Sequence, residues 1–68
     1  MEFKLIAMPE WESKSATHDF HISQSRDEFI VDVFDSSIED NDDAHITSEI
    51  YDSFDEAKKY CEEYQWVN

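Results

Sequence analysis

The sequence contains no glycine, one proline and one cysteine among its 68 residues. Without glycine, the chain cannot form the Gly-rich loops that cradle phosphate groups in many nucleotide-binding proteins. The lone Cys61 cannot form an intramolecular disulfide, whereas small secreted domains normally carry several. We therefore expect the protein to work in a reducing cytoplasm.

Positive charge is also scarce, since the chain contains five Lys and Arg residues but 18 Asp and Glu residues. The formal net charge of −13 exceeds the modest range usual for a small soluble domain, so self-repulsion is tolerated. Such a surface repels DNA, RNA and anionic membranes, and the expected partners are basic proteins. The short apolar run in residues 1–9 fits neither a signal peptide nor a membrane span. We expect no direct nucleic-acid binding and no membrane association.

A chain of this length buries only about 60% of the surface that its unfolded form exposes. Ten aromatic residues, five Phe, three Tyr and two Trp, supply most of the core. Few apolar residues remain to line a small-molecule pocket, which usually needs a cavity of roughly 300 Å³ or more. The composition therefore favours a single compact domain over residues 1–68 without such a pocket.

Alternation of apolar and polar residues predicts strands. Four segments show it or end at a strand-breaking proline: 3–8, 17–23, 28–34 and 45–51. The strand 28–34 is the clearest and is predicted to be central. Residues 10–16 and 35–44 are predicted to be loops, with Trp11 folding over the sheet edge and Asn41 able to adopt a left-handed conformation.

The C-terminal segment has the pattern of a helix. Ser53 and Glu56 form a capping box. A stripe of residues at helical spacing follows and predicts packing on a sheet: Phe54, Ala57, Tyr60, Cys61 and Tyr64. Trp66 is expected to seal the core. The fold class is α+β, a four-stranded antiparallel sheet with one C-terminal helix packed on one face (ββββα).

Candidate catalytic and metal-binding groups lack the required patterns. An EF-hand loop starting at Asp40 would need glycine at its sixth position, where His45 stands. His18 and His21 are three residues apart on a strand, so they point to opposite faces. Cys61 faces inward near a helix C-terminus, where the dipole does not activate a thiol. We expect no enzyme activity, no metal and no cofactor.

The most unusual stretch runs from Asp27 to Ala57 and carries twelve carboxylates without one Lys or Arg. Strand-like apolar residues run through it, which indicates a folded acidic surface. Confined to half of the molecule, these carboxylates would lie about one per 190 Å², within about a factor of two of a DNA flank. The predicted partner-binding residues are Asp27, Glu28, Asp32, Asp35, Glu39, Asp40, Asp42 and Asp43.

Small size, the lack of a cysteine framework, one compact α+β domain and a large acid excess together resemble phage-encoded anti-CRISPR proteins that mimic DNA. The segment 53–64 is also similar to the closing helix of many small phage proteins. The resemblance implies an inhibitor in the host-cell cytoplasm that binds a DNA-binding subunit of a Cas effector and blocks its nucleic-acid site. Two alternatives stay open. The chain could be a cytoplasmic acidic adaptor or antitoxin-like module that masks another basic protein, or its acidic surface could serve only solubility.

Overall fold

The computed structural model describes residues 2–67, with side chains described for residues 2–64. The elements are β1 (Lys4–Ala7), β2 (Glu10–Lys14), β3 (His18–Ser25), β4 (Glu28–Asp35), α1 (Asn41–Ala44), β5 (His45–Tyr51) and α2 (Phe54–Val67). The strands form one antiparallel sheet in the order β1-β2-β3-β4-β5, and α2 packs on one face of it. The predicted α+β arrangement with a C-terminal helix is confirmed.

The sheet has five strands, so the prediction of four was wrong. The additional strand is β2, which falls in the segment predicted to be a loop. Its two inward positions are Trp11, opposite Ile22, and Ser13, opposite Phe20. Because only one of these two positions is apolar, this segment does not show the alternation of apolar and polar residues that predicts a strand. Trp11 does not fold over an edge but packs between the sheet and α2, with its ring centroid 4.9 Å from that of Phe54.

The segment 35–44 is also more ordered than predicted, because its last four residues form α1. The Asp40 side chain caps this short helix by accepting a hydrogen bond from the Asp42 backbone nitrogen at 2.9 Å. Asn41 is therefore helical, not left-handed. The left-handed conformation occurs at Arg26, with φ of 58°, in the turn between β3 and β4. A basic residue thus takes the position where other chains often use glycine.

The core lies between α2 and the two longest strands. Four strand side chains and two helix side chains are completely or almost completely buried: Phe20, Ile22, Val31, Val33, Ala57 and Cys61. Full burial of each large apolar side chain stabilises the fold by about 1.5–3 kcal/mol. The predicted helix stripe faces this core, and the Ser53 hydroxyl caps α2 by accepting from the Glu56 nitrogen at 3.2 Å. The predicted contact of Trp66 lies outside the described side chains.

Candidate acidic partner-binding surface

We call the sheet face opposite α2 the open face. β4 places Asp32 there, with His21 of β3 and Ser48 of β5 as its cross-strand partners. The Ser48 hydroxyl donates to Asp32 Oδ1, and His45 Nε2 lies 3.0 Å from the same oxygen. The Asp32 side chain is only 25% exposed. This predicted site residue is therefore engaged within the sheet.

The rest of the open face also sets acids beside basic groups. His21 Nε2 lies 2.9 Å from Glu10 Oε1. Lys4 is the cross-strand partner of Glu12, and Lys14 is that of Asp19. Opposite charges directly across two strands attract each other by about 0.2–1 kcal/mol. The open face over β1 to β3 is therefore close to charge balance, in contrast to the chain as a whole.

Five of the eight predicted residues lie together in residues 35–43, which we call the acidic loop: Asp35, Glu39, Asp40, Asp42 and Asp43. Residues 36–43 are all exposed. The loop starts at the end of β4 and is anchored at its other end by Ala44, which is buried. The predicted acidic group at this end of the sheet is therefore present and faces solvent.

Two carboxylates of the acidic loop shape its backbone. Asp35 Oδ1 accepts hydrogen bonds from the Ser37 hydroxyl at 2.6 Å and the Ser37 nitrogen at 2.9 Å. These two bonds, the hydroxyl one foremost, hold the pKa of Asp35 below its ordinary value, because they favour the charged form. Asp40 caps α1. The side chains of Asp35 and Asp40 thus hold the backbone of the loop at its start and at the beginning of α1, while Glu39, Asp42 and Asp43 are exposed.

Asp27 and Glu28 lie at the opposite end of β4. Glu28 and Asp35 are seven residue steps apart along the strand, or about 23 Å at roughly 3.3 Å per step. Since Tyr51 pairs with Phe29 and α2 begins beside them, three further acids reach this same end. We call the five together the second acidic end: Asp27, Glu28, Asp52, Asp55 and Glu56. In the sequence, the signal was the predicted antiparallel strand 45–51, which leads the chain back to the start of β4. It could have identified Asp52, Asp55 and Glu56.

The predicted single acidic surface is therefore divided. Five predicted residues lie in the acidic loop, two lie at the second acidic end, and Asp32 lies between them on the open face. The twelve carboxylates of the stretch 27–57 are spread over both ends and both faces of the sheet, instead of being confined to half of the surface. The fold therefore has two acidic ends, with the less charged part of the sheet between them.

The other candidate chemical groups are placed as follows. His18 contacts the Tyr64 ring on the helix side, with centroids 5.3 Å apart, and His21 lies on the open face, so the two histidines point to opposite faces as predicted. Burial raises the pKa of Cys61 to about 12, so this thiol is protonated at neutral pH. Among residues 2–67, no group of three or more His, Cys, Asp and Glu side chains could hold a metal ion.

No protein-family model, curated protein or solved structure gives a significant match to this chain. No helix within the described part of the chain is long and apolar enough to cross a membrane.

Proposed function

We propose that this protein is an inhibitor that mimics DNA and blocks the nucleic-acid-binding site of a CRISPR-Cas effector complex. The main support for this proposal is the negative charge of the molecule relative to its length. The molecule measures 31 × 23 × 19 Å and carries 18 carboxylates and a net charge of −13. A DNA duplex as long as its longest dimension carries about 18 phosphate charges, at one per roughly 1.7 Å. The protein thus offers about three quarters of the charge of an equal length of duplex.

The arrangement of this charge supports the same proposal. The acidic loop and the second acidic end lie about 23 Å apart along β4, so a basic channel meets negative charge at both ends of the sheet. The loop is held by the hydrogen bonds of Asp35 and Asp40. A surface that is already ordered loses little conformational freedom when it binds. Fixed charge is what distinguishes such a mimic from a flexible acidic tail.

The proposal assigns roles to particular residues. The acidic loop together with Asp27 and Glu28 would contact the basic partner, while Asp32 would hold His45 and Ser48 in place on the open face. The protein would act in the cytoplasm beside the effector, without enzymatic activity, without a cofactor and without binding nucleic acid itself. Its partner would be a subunit whose basic surface normally binds DNA.

An affinity purification tests this assignment. The tagged protein is expressed in two otherwise identical bacterial strains, one with a Cas effector and one without it, and captured proteins are identified by mass spectrometry. We expect a DNA-binding Cas subunit, released as the salt concentration rises. Capture of the same basic protein from both strains would favour an adaptor or antitoxin-like role. Capture of no basic protein from either strain would favour a role in solubility alone.

A further inference from the structure

The two edges of the sheet are built differently. β1 has four residues, carries Lys4, has an irregular register between Leu5 and Ala7 and is soon followed by Pro9. Short length, lysine, irregularity and proline are features by which proteins protect edge strands from pairing. β5 has seven residues and contains neither lysine nor proline. Its register against β4 is irregular at its start, where Ile46 lies between the partners of Val33 and Phe34, and regular over residues 47–51. In the part of the chain that the structure describes, β5 pairs with β4 alone, so its outer side is available.

The side chains of β5 differ between its two faces. Ile46 and Ile50 are exposed by 45% and 60%, and Ile50 lies opposite Ile30 on the open face. The alternate positions point to the helix side, where Glu49 lies opposite Val31. The backbone N–H and C=O groups of every second residue point outward at such an edge. The edge therefore combines outward-pointing backbone groups, two exposed isoleucines on one side and one carboxylate, Glu49, on the other.

We infer that the β5 edge binds an extended segment of a partner protein in which apolar and basic residues alternate, so that this segment adds a sixth strand. Its apolar side chains would cover Ile46 and Ile50, and its basic side chains would lie beside Glu49. Main-chain hydrogen bonds supply affinity and the alternate side chains supply specificity in this mode of recognition.

The net negative charge of the chain favours a basic segment over a second copy of the chain as the occupant of this edge. Pairing two copies along β5 would bring together two molecules that each carry a net charge of −13, which repel each other. A basic segment is instead attracted to the same edge. The inference depends on the proposed function only in taking the partner to be basic.

The test uses a synthetic peptide of about nine residues, a typical strand length, in which lysine and valine alternate. Titrated into the isotope-labelled protein, it should shift the amide signals of His45–Tyr51 and slow their hydrogen exchange. Ile50→Lys places a cation on the edge and should weaken binding roughly tenfold, about 1.4 kcal/mol. Ile38→Lys makes the same charge change in the acidic loop at a residue of similar exposure (41%) and should weaken binding much less.

A second peptide separates strand addition from simple charge attraction. It has the same side chains but is N-methylated at three consecutive central residues, so it keeps its charge and loses backbone donors. We expect it to bind poorly. Equal binding of both peptides, shifts confined to the acidic loop, or no binding at low salt would overturn the inference. A dimer that forms in the wild type and is lost in Ile50→Lys would show that a second copy is the occupant.

These outcomes can be distinguished from failure of the proposed function by measuring displacement of DNA from a Cas effector with the same variants. If Ile50→Lys displaces DNA as well as the wild type does, DNA mimicry stands and strand addition to this partner is wrong. If the peptide binds β5 but the wild type does not displace DNA, strand addition stands and DNA mimicry is wrong.

Discussion

The body of the molecule, which consists of the five-stranded sheet and α2, and the acidic loop belong to the same small chain. The two regions use their residues in different ways. In the body, Val31 and Val33 are completely buried, and Asp32 between them contacts His45 and Ser48. In the acidic loop, Asp42 and Asp43 are exposed. Similar carboxylates in the sequence thus have different roles in the fold, because Asp32 accepts hydrogen bonds within the sheet and Asp42 and Asp43 face solvent.

The largest difference between these regions should appear in stability. Phe20→Ala removes an aromatic side chain from the centre of the core and should cost about 3–5 kcal/mol. Ile38→Ala removes a large side chain from the acidic loop, where 41% of it is exposed, and should cost less than about 1 kcal/mol. Urea unfolding followed by tryptophan fluorescence measures both. Similar losses for the two variants would show that the loop packs as part of the body.

Alkaline pH should destabilise the body because one buried thiol and two half-buried tyrosine hydroxyls must lose protons. Burial raises the pKa of Cys61 from an ordinary 9.0 to about 12, and burial is also the main cause that raises the pKa values of Tyr51 and Tyr60 above 10.0. The unfolded chain therefore loses these protons first. The stability linked to Cys61 is present in full below about pH 9 and is lost as the pH rises toward 12, by at most about 1.4 kcal/mol per pH unit. The stability linked to the two tyrosines starts to be lost only near pH 10.

Urea midpoints measured from pH 8 to 11 check this expectation. In Cys61→Ala, the decline should start only near pH 10, where the tyrosines begin to ionise in the unfolded chain. A wild-type curve that stays flat between pH 9 and 10, or a variant curve of the same shape, would contradict the assignment of Cys61 to the protonated core.

Removing a carboxylate should affect the two regions unequally. Asp32→Ala deprives Ser48 and His45 of their acceptor and should cost about 1 kcal/mol. Asp43→Ala makes the same change in the acidic loop, where it also relieves repulsion, and should change stability by less than about 0.5 kcal/mol. Denaturation at neutral pH compares them directly. If Asp43→Ala costs as much as Asp32→Ala, Asp43 has a structural role in addition to those of Asp35 and Asp40.

Simple salt should have the smallest effect. Raising NaCl from 0.01 M to 0.15 M shortens the Debye length from about 30 Å to about 8 Å and screens repulsion among the acids. The melting temperature should rise by a few degrees, corresponding to less than about 1 kcal/mol. The double variant Asp42→Asn, Asp43→Asn should respond less. A flat or falling melting curve for the wild type would show that its carboxylates are already dispersed or paired.

The sequence was sufficient to predict the elements whose signals are local. The alternation in β3, β4 and β5 and the Ser53 cap of α2 are all confirmed. β2 was missed because one of its two inward positions is Ser13, and α1 was missed because four residues are too few for a helical period. The capping carboxylate of Asp40 was the available signal for α1.

The candidate site was less predictable than the fold, because it depends on which strands become neighbours. The sequence marks the acidic stretch, but it does not show that His45 and Ser48 approach Asp32, or that β4 separates Glu28 from the acidic loop. Antiparallel pairing determines both facts, and register cannot be read from charge. The division into two acidic ends became clear from the structure, although the predicted return of β5 was a signal for Asp52, Asp55 and Glu56.

The most direct test of DNA mimicry is competition with DNA for a Cas effector, measured for paired charge reversals. Asp40→Lys with Asp43→Lys changes the acidic loop, and Glu62→Lys with Glu63→Lys makes an equal change in net charge on α2. Circular dichroism verifies that both variants fold. We predict that the wild type displaces DNA less effectively as salt rises, that the loop pair loses displacement at least roughly tenfold, and that the helix pair loses much less. Equal losses would place the contact elsewhere, and full displacement by the loop pair would contradict the account.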